Sequence, residues 1–136
     1  MAEDVVQSFI DALHEIDQTG NLDKMIRLFG QDATIGNAAA ARTFEGPGGA
    51  RDFWRTYRAN FREVESEFTR VIANADSAAL EWQSRGVAAN GEPFRYQGVT
   101  LLKLKGDEIS GFYSYFNPNE LGWQLARHHE AGASPG

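Results

Sequence analysis

Phe94-Arg95-Tyr96-Gln97-Gly98-Val99-Thr100-Leu101-Leu102-Lys103-Leu104-Lys105, a Gly106-Asp107 break, and then Glu108-Ile109-Ser110-Gly111-Phe112-Tyr113-Ser114-Tyr115-Phe116 decide the fold. Side chains alternate along both stretches with a period of two, the repeat of strand rather than helix. Two stretches of the same kind come before them, roughly Glu67 to Ala73 and Ala78 to Ala88. The connections Asn74-Ala75-Asp76, Asn90-Gly91-Glu92 and Gly106-Asp107 are short, so the four strands are predicted to form an antiparallel meander.

Upstream of Ser66 the period is helical. Val5, Val6, Phe9, Ile10, Leu13 and Ile16 recur at three- and four-residue spacing and predict a helix of about four turns, ended by Thr19-Gly20-Asn21. Asn21 is placed to cap a second, short helix that turns Leu22, Met25, Ile26 and Phe29 inward, with Gly30 as its left-handed stop. Asp32 to Gly36 reads as a short strand, Ala38 to Ala41 as a loop, and Gly46-Pro47-Gly48-Gly49 as a turn into a third helix with Phe53, Trp54, Tyr57 and Phe61 on one stripe. Asn117-Pro118-Asn119-Glu120 resembles a helix start, and a short last helix carries Leu121 and Leu125. The fold class is α+β: a bent antiparallel sheet, three N-terminal helices and a short C-terminal helix. Residues 1–130 are expected to form a single domain and 131–136 a disordered tail.

Composition narrows the function. The chain has 136 residues and a net charge of −6, so it repels a phosphate backbone, and no Lys/Arg cluster offsets that locally; nucleic acid is not an expected partner. There is no Cys, which removes thiolate nucleophiles and Cys-ligated metals and fits a reducing compartment. No apolar run is long enough to cross a bilayer and Met1-Ala2-Glu3-Asp4 begins acidic, so no membrane partner is expected and a cytoplasmic location is. His14 and the adjacent His128-His129 have no metal-binding spacing, and no metal or cofactor is expected. Helices cover one face of such a sheet only, and aromatics occur at both parities of the last strands. Trp82, Tyr113 and Tyr115 left together in water would form a large apolar patch, so a homodimer through the outer sheet face is expected.

The strand Ala79, Glu81, Gln83, Arg85 against Leu80, Trp82, Ser84 can be read in two ways. Simple alternation buries Leu80 and Trp82 and sends Glu81, Gln83 and Arg85 to water. If instead the concave face lines a cavity and the convex face a dimer interface, the polar row points into the cavity. Glu81 would then be a candidate acid or base, its pKa displaced by desolvation or by Arg85.

The order of elements, with Gly20-Asn21-Leu22-Asp23, Leu28-Phe29-Gly30-Gln31-Asp32-Ala33-Thr34 and Phe44-Glu45-Gly46, resembles the nuclear transport factor 2-like superfamily, in its SnoaL-like and ketosteroid-isomerase-like branches. Gly106 to Asn117 looks like the last strand of limonene epoxide hydrolases. The resemblance covers nearly the whole chain and implies a cone whose interior is an apolar pocket, which supports the cavity-facing reading of Glu81. It also shows departures. Leu13, Asn37 and Thr100 stand where a ketosteroid isomerase has its Tyr and two Asp, while Glu81-Trp82-Gln83 and Ser114 stand where an epoxide hydrolase has Arg-x-Asp and a second Asp. The water-holding Asn of the hydrolases is matched by Asn37.

The residues expected in the pocket are therefore Asn37, Glu81, Gln83, Tyr96, Thr100 and Ser114 as polar groups and Phe94, Phe116 and Leu121 as apolar wall. Glu81 is the candidate general base or acid, with Asn37 and Gln83 holding a water or a carbonyl oxygen. Two functions stay open at this point. One is a cofactor-free isomerase, cyclase or hydrolase acting on a small apolar oxygenated compound; the other is a non-catalytic ligand-binding or dimerisation scaffold.

Overall fold

The computed structural model describes residues 2–38 and 43–117. The expected C-terminal helix with Leu121, the tail, and most of the Ala38 to Ala41 loop lie outside these residues. Helix α1, Ala2–Thr19, buries Val5, Val6, Phe9, Leu13 and Ile16 along one stripe and carries Glu3 and Asp4 at its positive end. It stops where expected: Gly20 has a φ of 79°, and its N–H donates to the Ile16 carbonyl at 2.8 Å. In the short helix α2, Asp23–Arg27, the Asp23 N–H donates to Asn21 Oδ1 at 3.0 Å, so Asn21 serves the helix start.

Gly30 is not the left-handed stop that was expected. It lies buried inside strand β1, Phe29–Asn37, because the chain joins the sheet directly after α2, the Ile109 N–H donating to the Leu28 carbonyl at 2.7 Å. Strand β2, Phe44–Glu45, pairs with β1 and leads into helix α3, Gly46–Ala59, with Pro in its first turn. Phe61 is not on that helix. It begins strand β3, Phe61–Ala73, though its ring still packs on Tyr57 at 5.4 Å between centroids.

Strands β4 (Ser77–Ala88), β5 (Pro93–Lys105) and β6 (Glu108–Phe116) complete one six-stranded sheet of order β2-β1-β6-β5-β4-β3. From β3 to β6 it is the antiparallel meander read from the sequence, whereas β1 lies parallel to β6. The chain leaves β1 through α3 and the whole meander before returning beside it. Register shifts in β3 and between β5 and β6 add to the curl of this open sheet, since a bulge bends and twists its strand.

The register lays the inner face out in cross-strand rows. Ala78, Leu102, Phe112 and Ile35 form one that is wholly buried under α1 and α3. Next comes Leu80, Thr100, Ser114 and Asn37; then Phe68, Trp82, Gly98 and Phe116; then Ser66, Ser84 and Tyr96. The first of these rows is core, with only Phe112 reaching the edge of a cavity. The other three face a space that the helices do not fill.

Candidate functional site

That space is a cavity of about 410 Å³. Phe9 and Leu13 of α1 and Phe53, Trp54 and Tyr57 of α3 close it opposite the sheet, and the aromatic row with Trp82 and Phe116 forms its middle. Carbon dominates the lining; the polar groups of the sheet gather in the two flanking rows, and Thr56 and Asn60 join the lining from α3 and its end. In one row the Trp82 Nε1–H donates to Thr100 Oγ1 at 2.9 Å, and Thr100 and Ser114 share a hydrogen bond of 2.7 Å. Gly98 makes this possible. It pairs with Trp82, and a Cβ there would come within 2.7 Å of the indole Cζ2. Asn37, paired in register with Ser114, lines the same end.

The other polar row reaches into the helices. Ser66 and Ser84 share a hydrogen bond of 2.9 Å, and the Tyr57 hydroxyl stands 3.5 Å from Ser66 Oγ while donating to Asp17 Oδ1 at 2.8 Å. His14 donates from Nε2 to the Ser66 carbonyl at 3.2 Å, and Arg58 donates to the carbonyls of Ile16 and Phe61 at 3.1 and 2.7 Å, fixing the end of α1 against α3. Asp17 is only 6% exposed. Burial raises its pKa, and hydrogen bonds from Tyr57 and Ser66 together with the charges of His14 and Arg58 partly oppose the rise. Burial first, and then the Asp17 charge, pushes the phenols of Tyr57 and Tyr96 upward, so both stay protonated. Among the described residues two buried side-chain atoms lack a hydrogen-bond partner, Asp17 Oδ2 and Trp54 Nε1.

Of the residues expected in the pocket, Asn37, Tyr96, Thr100, Ser114 and Phe116 line this cavity, and Leu121 lies outside the described residues. Glu81 and Gln83 do not reach it. Both are exposed on the opposite face, where Glu81 accepts a hydrogen bond from Thr69 Oγ1 at 3.2 Å and stands 4.0 Å from Arg70. The reason is parity. Turning Leu80, Trp82 and Ser84 inward sends Glu81, Gln83 and Arg85 out, and hydroxyls that satisfy one another are far cheaper to bury than a row of charges. Trp82 accordingly leaves the outer face, where Tyr113 and Tyr115 remain 4.6 Å apart. Phe94 is buried too, but it stacks on Phe61 at 4.7 Å and faces an outer groove rather than the cavity.

The sequence reading missed Asp17, Tyr57, Ser66 and Ser84 as polar site residues. Asp17 carried a signal: it stands four residues after Leu13 and eight after Phe9, on the apolar stripe of α1, where a carboxylate has no reason to be unless something meets it. Among the described residues no group of three or more His, Cys, Asp and Glu gathers as a metal site, and no helix is long and apolar enough to cross a membrane.

A family model, the SnoaL-like domain, matches residues 6–112, which run from α1 into β6 and hold nearly all of the cavity lining. The chain belongs to the SnoaL-like domain family. No match to it is found among curated proteins. Solved structures share the fold of this SnoaL-like domain. An NTF2-like protein from Anabaena variabilis is 18% identical with a TM-score of 0.79, covering 88% of this chain and 92% of its own. A protein of ketosteroid isomerase-like fold from Catenulispora acidiphila, in complex with trimethylamine, is 20% identical with a TM-score of 0.78 over 93% and 95% of the two chains. An LEH-like epoxide hydrolase of M. tuberculosis is 14% identical with a TM-score of 0.73 over 96% and 95%. At these identities the likeness establishes the cone fold of the SnoaL-like domain and no reaction.

Proposed function

We propose that this SnoaL-like domain binds a small, apolar, oxygenated molecule in the cavity between the sheet and helices α1 and α3. The observation that carries the reading is the lining: aromatic and aliphatic carbon on the walls, with hydroxyls and the amides of Asn37 and Asn60 set among it. Ligand sites of this size commonly combine an apolar wall with a few convergent polar groups. The ketosteroid isomerase-like protein from Catenulispora acidiphila holds trimethylamine, which is in keeping with use of this fold for small molecules. With Glu81 on the far face, isomerisation, cyclisation or hydrolysis by that carboxylate is not part of the proposal. A cofactor-free reaction in this cavity would instead draw on Asp17 through Tyr57.

The test is thermal unfolding with a panel of steroids, terpene epoxides and aromatic polyketides. A ligand present at a hundred times its dissociation constant stabilises the native state by about 2.7 kcal/mol. For a domain of this size that raises the midpoint by on the order of 5 °C. A panel without a single responder overturns the binding reading.

The outer face favours a second, compatible role. Ile72, Leu101 and Tyr115 are 63%, 44% and 53% exposed on it, more large apolar surface than a solvated sheet face ordinarily keeps. We propose that two copies pair through this face. Size-exclusion chromatography with light scattering at micromolar concentration then gives twice the 15.1 kDa of one chain, and a single-chain mass contradicts it. The absence of Cys suits the reducing cytoplasm as the place where this happens.

A further inference from the structure

The cavity wall is aromatic to a degree that hydrophobicity alone does not require. Among the described residues eleven of the nineteen lining side chains are Phe, Tyr or Trp, and Leu13 is the only aliphatic one. A wall that merely excludes water is served as well by Leu, Ile and Val, which this chain keeps for its core, at Ile35, Leu102 and Ile109. What aromatic rings add is a negative face, and a cation over that face is held electrostatically. Trp82, Tyr96 and Phe116 make a corner of three such rings on the sheet, with centroids 5.1, 5.4 and 6.2 Å apart and planes inclined by 78°, 80° and 57°. The charge around the cavity has the matching sign. No Lys, Arg or His lines it. Behind Tyr57 stands the buried carboxylate of Asp17, which accepts the Tyr57 hydrogen at 2.8 Å and makes no ion pair among the described residues. Arg58 gives its donors to backbone carbonyls and lines the outer groove, not the cavity. The Asp17 charge reaches the corner of rings, since after burial it is what raises the pKa of the Tyr96 phenol.

From these observations we propose that the cavity takes a small molecule with a tertiary or quaternary ammonium head, its alkyl groups seated against the rings of Trp82, Tyr96 and Phe116. The proposal rests on the binding reading above and deepens it by adding a positive charge to the ligand. An alkylated ammonium spreads its charge over carbon and donates at most one hydrogen bond, so the aromatic faces can stand in for the water it gives up. Asp17 does not touch the head. It acts through its charge, from behind Tyr57, in surroundings where little water screens it. An oxygen elsewhere on the same molecule can meet the Thr100 and Ser114 hydroxyls, which line the same cavity.

The test compares phenyltrimethylammonium with tert-butylbenzene, which has the same shape with carbon in place of the charged nitrogen. Both are titrated by tryptophan fluorescence, at mildly alkaline pH and physiological salt, against the wild type, Asp17→Asn and Phe116→Leu. A cavity that is only apolar prefers the hydrocarbon, because the ammonium must shed water to enter. The wild type is instead expected to bind the ammonium at least about tenfold more tightly than the hydrocarbon. Asp17→Asn keeps an acceptor for Tyr57 and removes the charge, while Phe116→Leu keeps apolar carbon and removes the ring face. Each is expected to cut the preference for the ammonium severalfold and to leave hydrocarbon binding nearly unchanged, whereas a merely structural role would weaken both compounds together. Wild-type affinities that are equal, or that favour tert-butylbenzene, overturn the proposal and leave the binding reading standing, and this comparison needs no variant to fold. An ammonium preference that both variants keep in full also overturns it. If neither compound binds the wild type, the proposal fails, and the panel of neutral ligands decides the binding reading separately.

Discussion

Phe112→Ala is expected to lower the free energy of unfolding by about 3–5 kcal/mol, a large part of what a domain of this size has. Phe112 is the ring at which the helical and sheet layers meet. Its centroid lies 5.3 Å from Trp54, 5.4 Å from Phe53, 5.9 Å from Phe9 and 6.3 Å from Phe29, so α1, α3 and β1 all rest on it. Removing it forfeits the transfer of a buried aromatic and leaves a hole that four large rings cannot close by small shifts. The hole also opens into the ligand cavity, whose floor Phe112 forms. Urea unfolding checks this: the midpoint falls while the dependence on denaturant stays the same. A loss below about 1 kcal/mol would mean that the layers are held elsewhere.

Gly98→Val is the second large effect, and it acts on the site. The new Cβ would come 2.7 Å from Trp82 Cζ2 and 3.0 Å from Phe116 Cβ, and it would overlap the carbonyl oxygen of Tyr115. The carbonyl belongs to the neighbouring strand and cannot swing away, so the strain falls on the β5 and β6 pairing and on the indole. Overpacking of this kind costs about 1–3 kcal/mol, and displacing Trp82 from Thr100 also leaves a buried donor without its acceptor. We expect a loss near the upper end of that range, a red-shifted tryptophan emission, and no thermal response to a ligand that stabilises the wild type. A variant of wild-type stability with unchanged emission would show that Trp82 does not depend on the space over Gly98.

The elements of this fold are legible because each carries its own local signal. The stripe of α1, the Gly20 stop and the three short turns of the meander need no tertiary information. Asn37 and Ser114 were read onto the cavity through resemblance, and the register sets them side by side. What failed was a matter of parity. Whether Glu81 or Trp82 faces inward is a choice between two equally periodic patterns, and the cone shape alone does not make it. Desolvation does: Glu81, Gln83 and Arg85 are polar at every position, while Trp82 and Ser84 bury with their polar atoms paired to Thr100 and Ser66. Gly30 misled for a similar reason, since a glycine after a short helix signals a left-handed stop unless the next residues are claimed by a strand. Asp17 is conspicuous on the apolar stripe of α1, but its partner is not: Tyr57 is forty residues away, and only the packing of α3 on α1 joins them.

The central claim is that the inner face of the sheet, with its hydroxyl rows, holds the ligand, and that the outer carboxylate row does not. The most direct measurement is the thermal midpoint shift produced by the strongest responder of the steroid, terpene epoxide and polyketide panel, taken on the wild type, Glu81→Gln and Thr100→Val. We expect the wild type and Glu81→Gln to shift alike, because Glu81 lies outside the cavity, and Thr100→Val to lose most of the shift. A shift abolished in Glu81→Gln and kept in Thr100→Val would contradict the account.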